Sequence, residues 1–423
     1  MRRWLAIFLL LLVAYAATIG LRAAPGQRYS GAEAHRLLTA ASISEDGDLD
    51  LRDQYAQRTW DRWDGPVLRP TAGLTEGRLV EPQGIGFPLL IAPAYALGGP
   101  TLVELQCALL LALAFTLGAA LARRLVPEPW ATRSALLVGL SPPALAASTT
   151  VAPVAAGAVL ITGGALLALR IRERPRLRWT FWCAACLALT AWLDVHLALP
   201  GAVIAVALWR WLRRRGRAFT GFVALEVVLT SAVVFITVND RVFGGLTPVS
   251  SRLSGGSPTG AEDVAQQLER LPRILGVFVD REAGLIRWAP VVVLALVALV
   301  VLVRSRRERL ASFIADQIDV EVTSTLLALI AAAGVACAVF ARPSLHGPWL
   351  APPDVVVILP CAAALVALGL RRQPRVGAAL AAVTVAGAVW FLAGARLDDG
   401  AGTAPPRGPL PLGGAERVLP DLG

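Results

Sequence analysis

Three histidines, His35, His196 and His346, are the only imidazoles in this chain of 423 residues, and every basic residue is arginine. Without lysine the chain can form neither a Walker-type phosphate loop nor a Schiff base. The stretch YSGAEAHRLLTAASISEDGDLDL, residues 29–51, crowds Glu33, Glu45, Asp46, Asp48 and Asp50 around His35. Asp280-Arg281-Glu282 forms a second polar cluster, and Asp194 stands two residues before His196 at the end of a tryptophan-containing apolar run. Imidazoles and carboxylates serve as general acids and bases, and the planar fork of arginine binds oxyanions bidentately. A carboxylate at the edge of lipid needs a cation or water, which Arg281 or His196 can supply to Asp194. Any one of these groups alone reads as a solvated surface residue.

Two other patterns carry less. Cys183 and Cys186 form a C-x-x-C inside an apolar run and read as small apolar residues, so neither a disulfide nor zinc is expected. Asp46, Asp48 and Asp50 resemble a calcium loop, yet Leu51 stands at its sixth position and Gln57 at its twelfth, and a turn around Gly47 is the better reading. No metal site and no cofactor is expected, although a divalent cation stays open.

The elements that must position these groups are membrane helices. With 56 % hydrophobic residues and a mean hydropathy of +0.62, the chain is a polytopic membrane protein. The fold class is therefore all-α, a polytopic membrane helix bundle. About eleven transmembrane helices fit, near 4–21, 101–121, 131–148, 151–169, 179–194, 196–211, 219–238, 287–303, 322–341, 353–370 and 376–395. The first run is too long for a signal peptide core and is kept as a helix.

Arginines cluster between spans, as RERPRLR, WRWLRRRGR, RSRRER and RRQPR. Placing these clusters inside puts the N-terminus in the cytoplasm and the C-terminus outside a plasma (inner) membrane, with a slightly acidic outer side. All three histidines, the acidic first loop and the Asp280 cluster then share the outer surface. The net charge of +10 thus belongs to the membrane surface, and no nucleic-acid partner is expected.

Residues 84–99, GIGFPLLIAPAYALGG, are apolar but short and broken by Pro88 and Pro93, and are expected to lie in the interface or dip part way. The chain divides into a membrane-embedded part, 1–395, with an outer loop at 22–83 carrying interfacial helices and another at 239–286. A Pro/Gly-rich outer tail, 396–423, is expected to be disordered. In the second loop Thr259 and Glu262 fit a capping box, followed by an amphipathic helix with Val264, Leu268 and Leu271 on one face up to Pro272.

Together these stretches carry a resemblance. SGAEAHRLLTAASISEDGDLDL, EPQGIGFPLLIAPAYALGG, GLSPPALA and FVDREAGLIRWAPV, in this order, resemble the polyprenyl-phosphate-sugar-dependent membrane glycosyltransferases of the GT-C type, the protein mannosyltransferase-like class. The resemblance spans residues 1–395 and implies transfer of a sugar from a polyprenyl-phosphate donor to an envelope glycan, lipid or protein on the outer face. It assigns Glu33 and His35 to catalysis, and it suits Asp194, His196, Asp280, Arg281, Glu282 and His346 to substrate binding. The sequence departs from the family where an aspartate is expected, at Ala32. Val151-Ala152-Pro153 replaces a Tyr-Pro-Glu, and Pro352-Pro353-Asp354 replaces an arginine-bearing turn. Two alternatives stay open: a catalytically impaired protein on the same fold that binds the lipid-linked sugar or a partner, and a transporter using Glu226.

Overall fold

In lipid each backbone N–H and C=O must bond within its own segment, so apolar runs of this length fold as helices. The computed structural model describes residues 2–23, 26–75, 77–252, 263–308, 315–347, 350–397 and 419–422. It contains α1 (Arg2–Ala16), α2 (Gly31–Glu45), α3 (Arg52–Ala56), a small hairpin of β1 (Leu74–Thr75) with β2 (Arg78–Leu79), and α4 (Gly86–Ala122). Next come α5 (Trp130–Gly139), α6 (Pro142–Ala147), α7 (Val154–Glu173), α8 (Leu177–Leu193), α9 (Ala198–Arg214) and α10 (Ala218–Phe243). Four shorter or mid-length helices follow, α11 (Val264–Leu268), α12 (Arg273–Val279), α13 (Leu285–Trp288) and α14 (Val293–Glu308). The series closes with α15 (Ala315–Ala336), α16 (Pro353–Arg372) and α17 (Pro374–Leu397).

Each expected apolar run coincides with helix. Among the described residues seven helices are long and apolar enough to cross a membrane, and three apolar helices are shorter. The expected span at 131–148 is split, because Ser141 adopts extended backbone ahead of Pro142 and Pro143, which open α6. The first helix ends at Ala16 rather than near 21, in a turn that leads to the positive-φ Gly20. Residues 86–97 form the first arm of α4, which runs through Pro88 and Pro93 without the expected interruption and breaks instead at Gly98 and Gly99 before Pro100. The arms fold toward each other, so that the Gln106 amide donates to the Leu90 carbonyl at 3.1 Å.

α16 is the hub. Its first eighteen residues carry one charge, Asp354, and are apolar all round, the pattern of a helix enclosed by others. It packs on α4, α5, α7, α14 and α15. Helices in lipid associate through close contact rather than through the hydrophobic effect, and small residues permit it. A Cβ on Gly118 would sit 2.5 Å from the Pro360 carbonyl oxygen, so α4 and α16 can meet there only through glycine. By contrast α10 leaves Phe219, Phe222 and Val233 exposed, as a lipid-facing helix must.

The first loop is a folded cap with its own core of Tyr29, Leu37, Leu38, Leu51, Trp60 and Trp63. Tyr55 meets Trp60 edge-on at 5.5 Å, and Tyr29 meets Trp63 at 5.8 Å. Buried Glu104 of α4 fastens the cap's start: it accepts from Gly20 N at 2.9 Å, from Tyr29 Oη at 2.7 Å, and pairs with Arg28. A bridge between Ala72 and Arg252 joins the two loops. The Thr259–Glu262 capping box lies outside the described residues. Asp263 caps α11 by accepting from Gln266 N; the amphipathic helix ends already at Leu268, and α12 starts after the expected break at Pro272. Val264, Leu268 and Leu271 do stay exposed. Most of the 396–423 tail lies outside the described residues, but 419–422 are described and are held against the Asp280 turn.

Candidate functional site

The polar groups of the loop face fall into three clusters. In the first, Ser30 caps α2, accepting from Glu33 N while Glu33 Oε2 accepts from Ser30 N at 2.9 Å, a reciprocal box worth about 1 kcal/mol. The other carboxylate oxygen of Glu33 accepts from Val151 N at 2.9 Å, in the turn between α6 and α7. Glu33 is 1 % exposed, and its carboxylate fastens the cap to the bundle.

His35, two residues on, points ~200° around the helix and away from Glu33. The Tyr55 hydroxyl donates to Glu81 Oε1 at 2.5 Å, so its oxygen accepts from His35 Nδ1 at 3.0 Å. Glu81 also accepts from Thr71 N and from the Thr71 hydroxyl. Burial lowers the His35 pKa, partly opposed by Glu81, and the ring is a neutral member of the cap's interior. The two residues assigned to catalysis thus serve different environments and are not brought together.

Between them on the helix, Arg36 shares a face with exposed Ala32, one turn earlier. Its Nη1 donates to the Val151 carbonyl at 3.2 Å, and it lies in the fields of Asp194 and Arg342. This is the second cluster. Arg342 Nε donates to Asp354 Oδ2 at 2.8 Å, and its Nη2 to Asp354 Oδ1 at 3.4 Å and to Asp194 Oδ2 at 3.3 Å. Asp194 Oδ1 accepts from His196 Nδ1 at 2.7 Å and from His196 N at 3.0 Å. Burial by itself would raise the Asp194 pKa, but His196 and Arg342 outweigh it and hold the carboxyl well below the ordinary range. The partner of Asp194 is therefore His196 together with Arg342, not Arg281.

Local sequence explains the placement. α15 ends in a single π-helical turn, Cys337–Ala341, whose last carbonyls need donors. Arg270 supplies them, donating to the carbonyls of Phe340 at 3.2 Å and Arg342 at 3.3 Å, and Arg273 donates to Pro343. Asp354 follows Pro353 in the first turn of α16, where the helix dipole favours an anion.

The third cluster is the Asp280 turn. Asp280 Oδ1 accepts from Glu282 N, Ala283 N and His346 Nε2, the last at 3.0 Å, and Oδ2 accepts from Leu422 N at 2.8 Å. Burial raises its pKa, but the backbone N–H groups of Ala283, Leu422 and Glu282 prevail and lower it. Arg281 takes part through its backbone, N donating to the Pro420 carbonyl, and the Glu282 side chain is exposed. Asp280, His346 and Asp421 offer ligand atoms within 4.8 Å of one another, a composition that can hold a divalent cation. As hydrogen-bonded, the trio ties the chain's last described segment to the entry of α13.

Sequence reasoning passed over Arg36, Arg342 and Asp354. The available signal was their position, since Arg342 and Asp354 bracket the loop between two apolar runs. Asp46, Asp48 and Asp50 do form a turn: Asp48 accepts from Asp50 N, and Asp50 from Arg52 and Leu79 N. The Cys183 thiol donates to the Gly164 carbonyl. Glu226, the acid of the transporter alternative, sits on the exposed side of α10.

No protein-family model and no curated protein matches the sequence. Among solved structures, the chain is similar to ArnT from Cupriavidus metallidurans bound to undecaprenyl phosphate, at a TM-score of 0.55 and 15 % identity. The match covers 96 % of this chain and 67 % of that one. The fold is GT-C-like. At this identity the likeness reports architecture: a multi-pass helical bundle capped by a folded first loop. Within the GT-C-like fold, the Arg342 cluster is where α2, the α8–α9 junction, the end of α15 and the start of α16 come together.

Proposed function

We propose that this protein binds a polyprenyl-phosphate-linked sugar at the loop face and transfers the sugar to an envelope glycan, lipid or protein. The observation that carries the reading is the half-buried pairing field of Arg36 and Arg342 within an ArnT-like fold, since ArnT is bound to undecaprenyl phosphate. Two guanidinium groups suit a leaving phosphate, whose charge grows as the sugar departs. Asp194 and Asp354 hold Arg342 in place, and a lipid phosphate competes with them for its fork. In this reading the loop face is the outer side of a plasma membrane, with the arginine-rich ends in the cytoplasm.

A second reading, a lipid-linked-sugar-binding protein without turnover, is favoured by Ala32 on the Arg36 face and by the occupied carboxylate of Glu33. The transporter alternative needs an acid in the interior, and Glu226 faces outward.

The deciding experiment pairs undecaprenyl phosphate binding with release of sugar from its phosphoryl-linked form, in the purified protein. The expected result is binding that weakens roughly tenfold or more in Arg342→Gln, with Arg342→Lys intermediate. Binding without sugar release selects the second reading, and absence of binding overturns both.

A further inference from the structure

On the face opposite the first loop, the ends of α4, α7 and α8 enclose a cavity of about 390 Å³. Its wall carries Arg124, Arg170, Arg174 and Arg176 against one acid, Glu173, with Trp179 beside them. Charges here are not uniformly unpaired. Outside the cavity, Arg172 is neutralised by Asp319 at 2.7 Å and Arg123 by Glu128 at 3.5 Å. Inside it, Glu173 pairs with Arg124, and none of Arg170, Arg174 and Arg176 is in an ion pair among the described residues. Three guanidinium groups outside any ion pair among the described residues therefore converge on this recess.

From this cavity we infer a binding site for the phosphate of an anionic membrane phospholipid. The Arg170 guanidinium stacks over Trp179 at 4.4 Å from the ring centre, and Arg178 lies over the same ring at 4.9 Å. Stacking holds the Arg170 fork in a fixed plane, which lowers the entropy lost when it grips an oxyanion. Trp179, in the first turn of α8, is placed as tryptophans are at the membrane–water boundary. Leu166 lies one turn from Arg170 toward the membrane interior on the same face of α7 and supplies an apolar floor. A phosphate at the arginines with hydrocarbon running over Leu166 matches that gradient, and a free phosphate has no use for it. Basic recesses between membrane helices are suited to anionic headgroups.

The test uses the full chain in mild detergent with defined lipids, scoring retained lipid by native mass spectrometry and thermal protection in parallel. Phosphatidylglycerol is expected to be retained over phosphatidylcholine by roughly tenfold or more, and 10 mM inorganic phosphate is expected to give no comparable protection. Arg170→Gln/Arg174→Gln/Arg176→Gln is expected to abolish that preference. Arg371→Gln/Arg372→Gln/Arg375→Gln, which removes equal charge elsewhere, is expected to keep it. Equal loss in both triples overturns the site in favour of diffuse charge, and protection by inorganic phosphate equal to that by lipid overturns the lipid assignment. Should the first triple fail to fold, equal retention of the two lipids by the unaltered protein still overturns the proposal.

Discussion

Arg342 grips Asp354 with two nitrogens, at 2.8 and 3.4 Å, and with the second of them also reaches Asp194. One guanidinium thereby joins the end of α15, the start of α16 and the α8–α9 junction. Removing it in Arg342→Gln leaves two carboxylates facing each other in a half-buried site. A loss of about 3 kcal/mol is expected. The double variant Arg342→Gln/Asp354→Asn should recover part of it, measured by thermal unfolding in detergent. Equal destabilisation by the single and the double variant sinks the pairing as a source of stability.

Ala32 occupies the Arg36 face of α2, whereas Glu33 points at the Val151 turn. Ala32→Asp is expected to raise donor-dependent sugar release about a hundredfold, the usual worth of a placed general base. Glu33→Gln should instead act on the fold, costing about 1–2 kcal/mol and speeding amide exchange in the first turn of α2. A variant at Glu33 that loses turnover with unchanged stability would restore that residue as the base.

Acid should loosen the cap through His35. Its folded pKa lies below the unfolded value of 6.5, so the unfolded chain binds the proton first. The His35 contribution is fully present above pH 6.5 and is lost as pH falls toward the folded value. The melting temperature is expected to drop as pH falls below 6.5, and His35→Gln should flatten that slope. An unchanged slope in the variant refutes the assignment.

Asp280 gives the tail its own pH response. Its folded pKa lies below the unfolded value of 3.8, so its stabilisation is complete above that value and is lost as pH falls through the folded one. Protease cleavage near residues 419–422 should accelerate in Asp280→Asn at neutral pH, and in the unaltered chain only under strong acid. Equal cleavage rates at neutral pH contradict the tether.

The sequence by itself determined a good deal: the membrane class, the helical identity of each apolar run and the separation of residues 84–99 from the span that starts near 101. These follow from local properties, since hydropathy selects spans whatever lies nearby. It also offered His196, alongside Arg281, as a partner for Asp194, and His196 is the one that meets it because the chain leaves α8 at Asp194 in extended backbone and turns there. Only the tertiary structure decided what the polar residues do. Glu33 and His35 are close in sequence, yet the helical rotation between them sends one to the Val151 turn and the other to Tyr55 and Glu81. Arg342 and Asp194 are 148 positions apart, and they meet because α16 draws the helix ends together. Spacing along a chain carries no record of which distant helix ends converge, so the cluster became legible only once the bundle had closed.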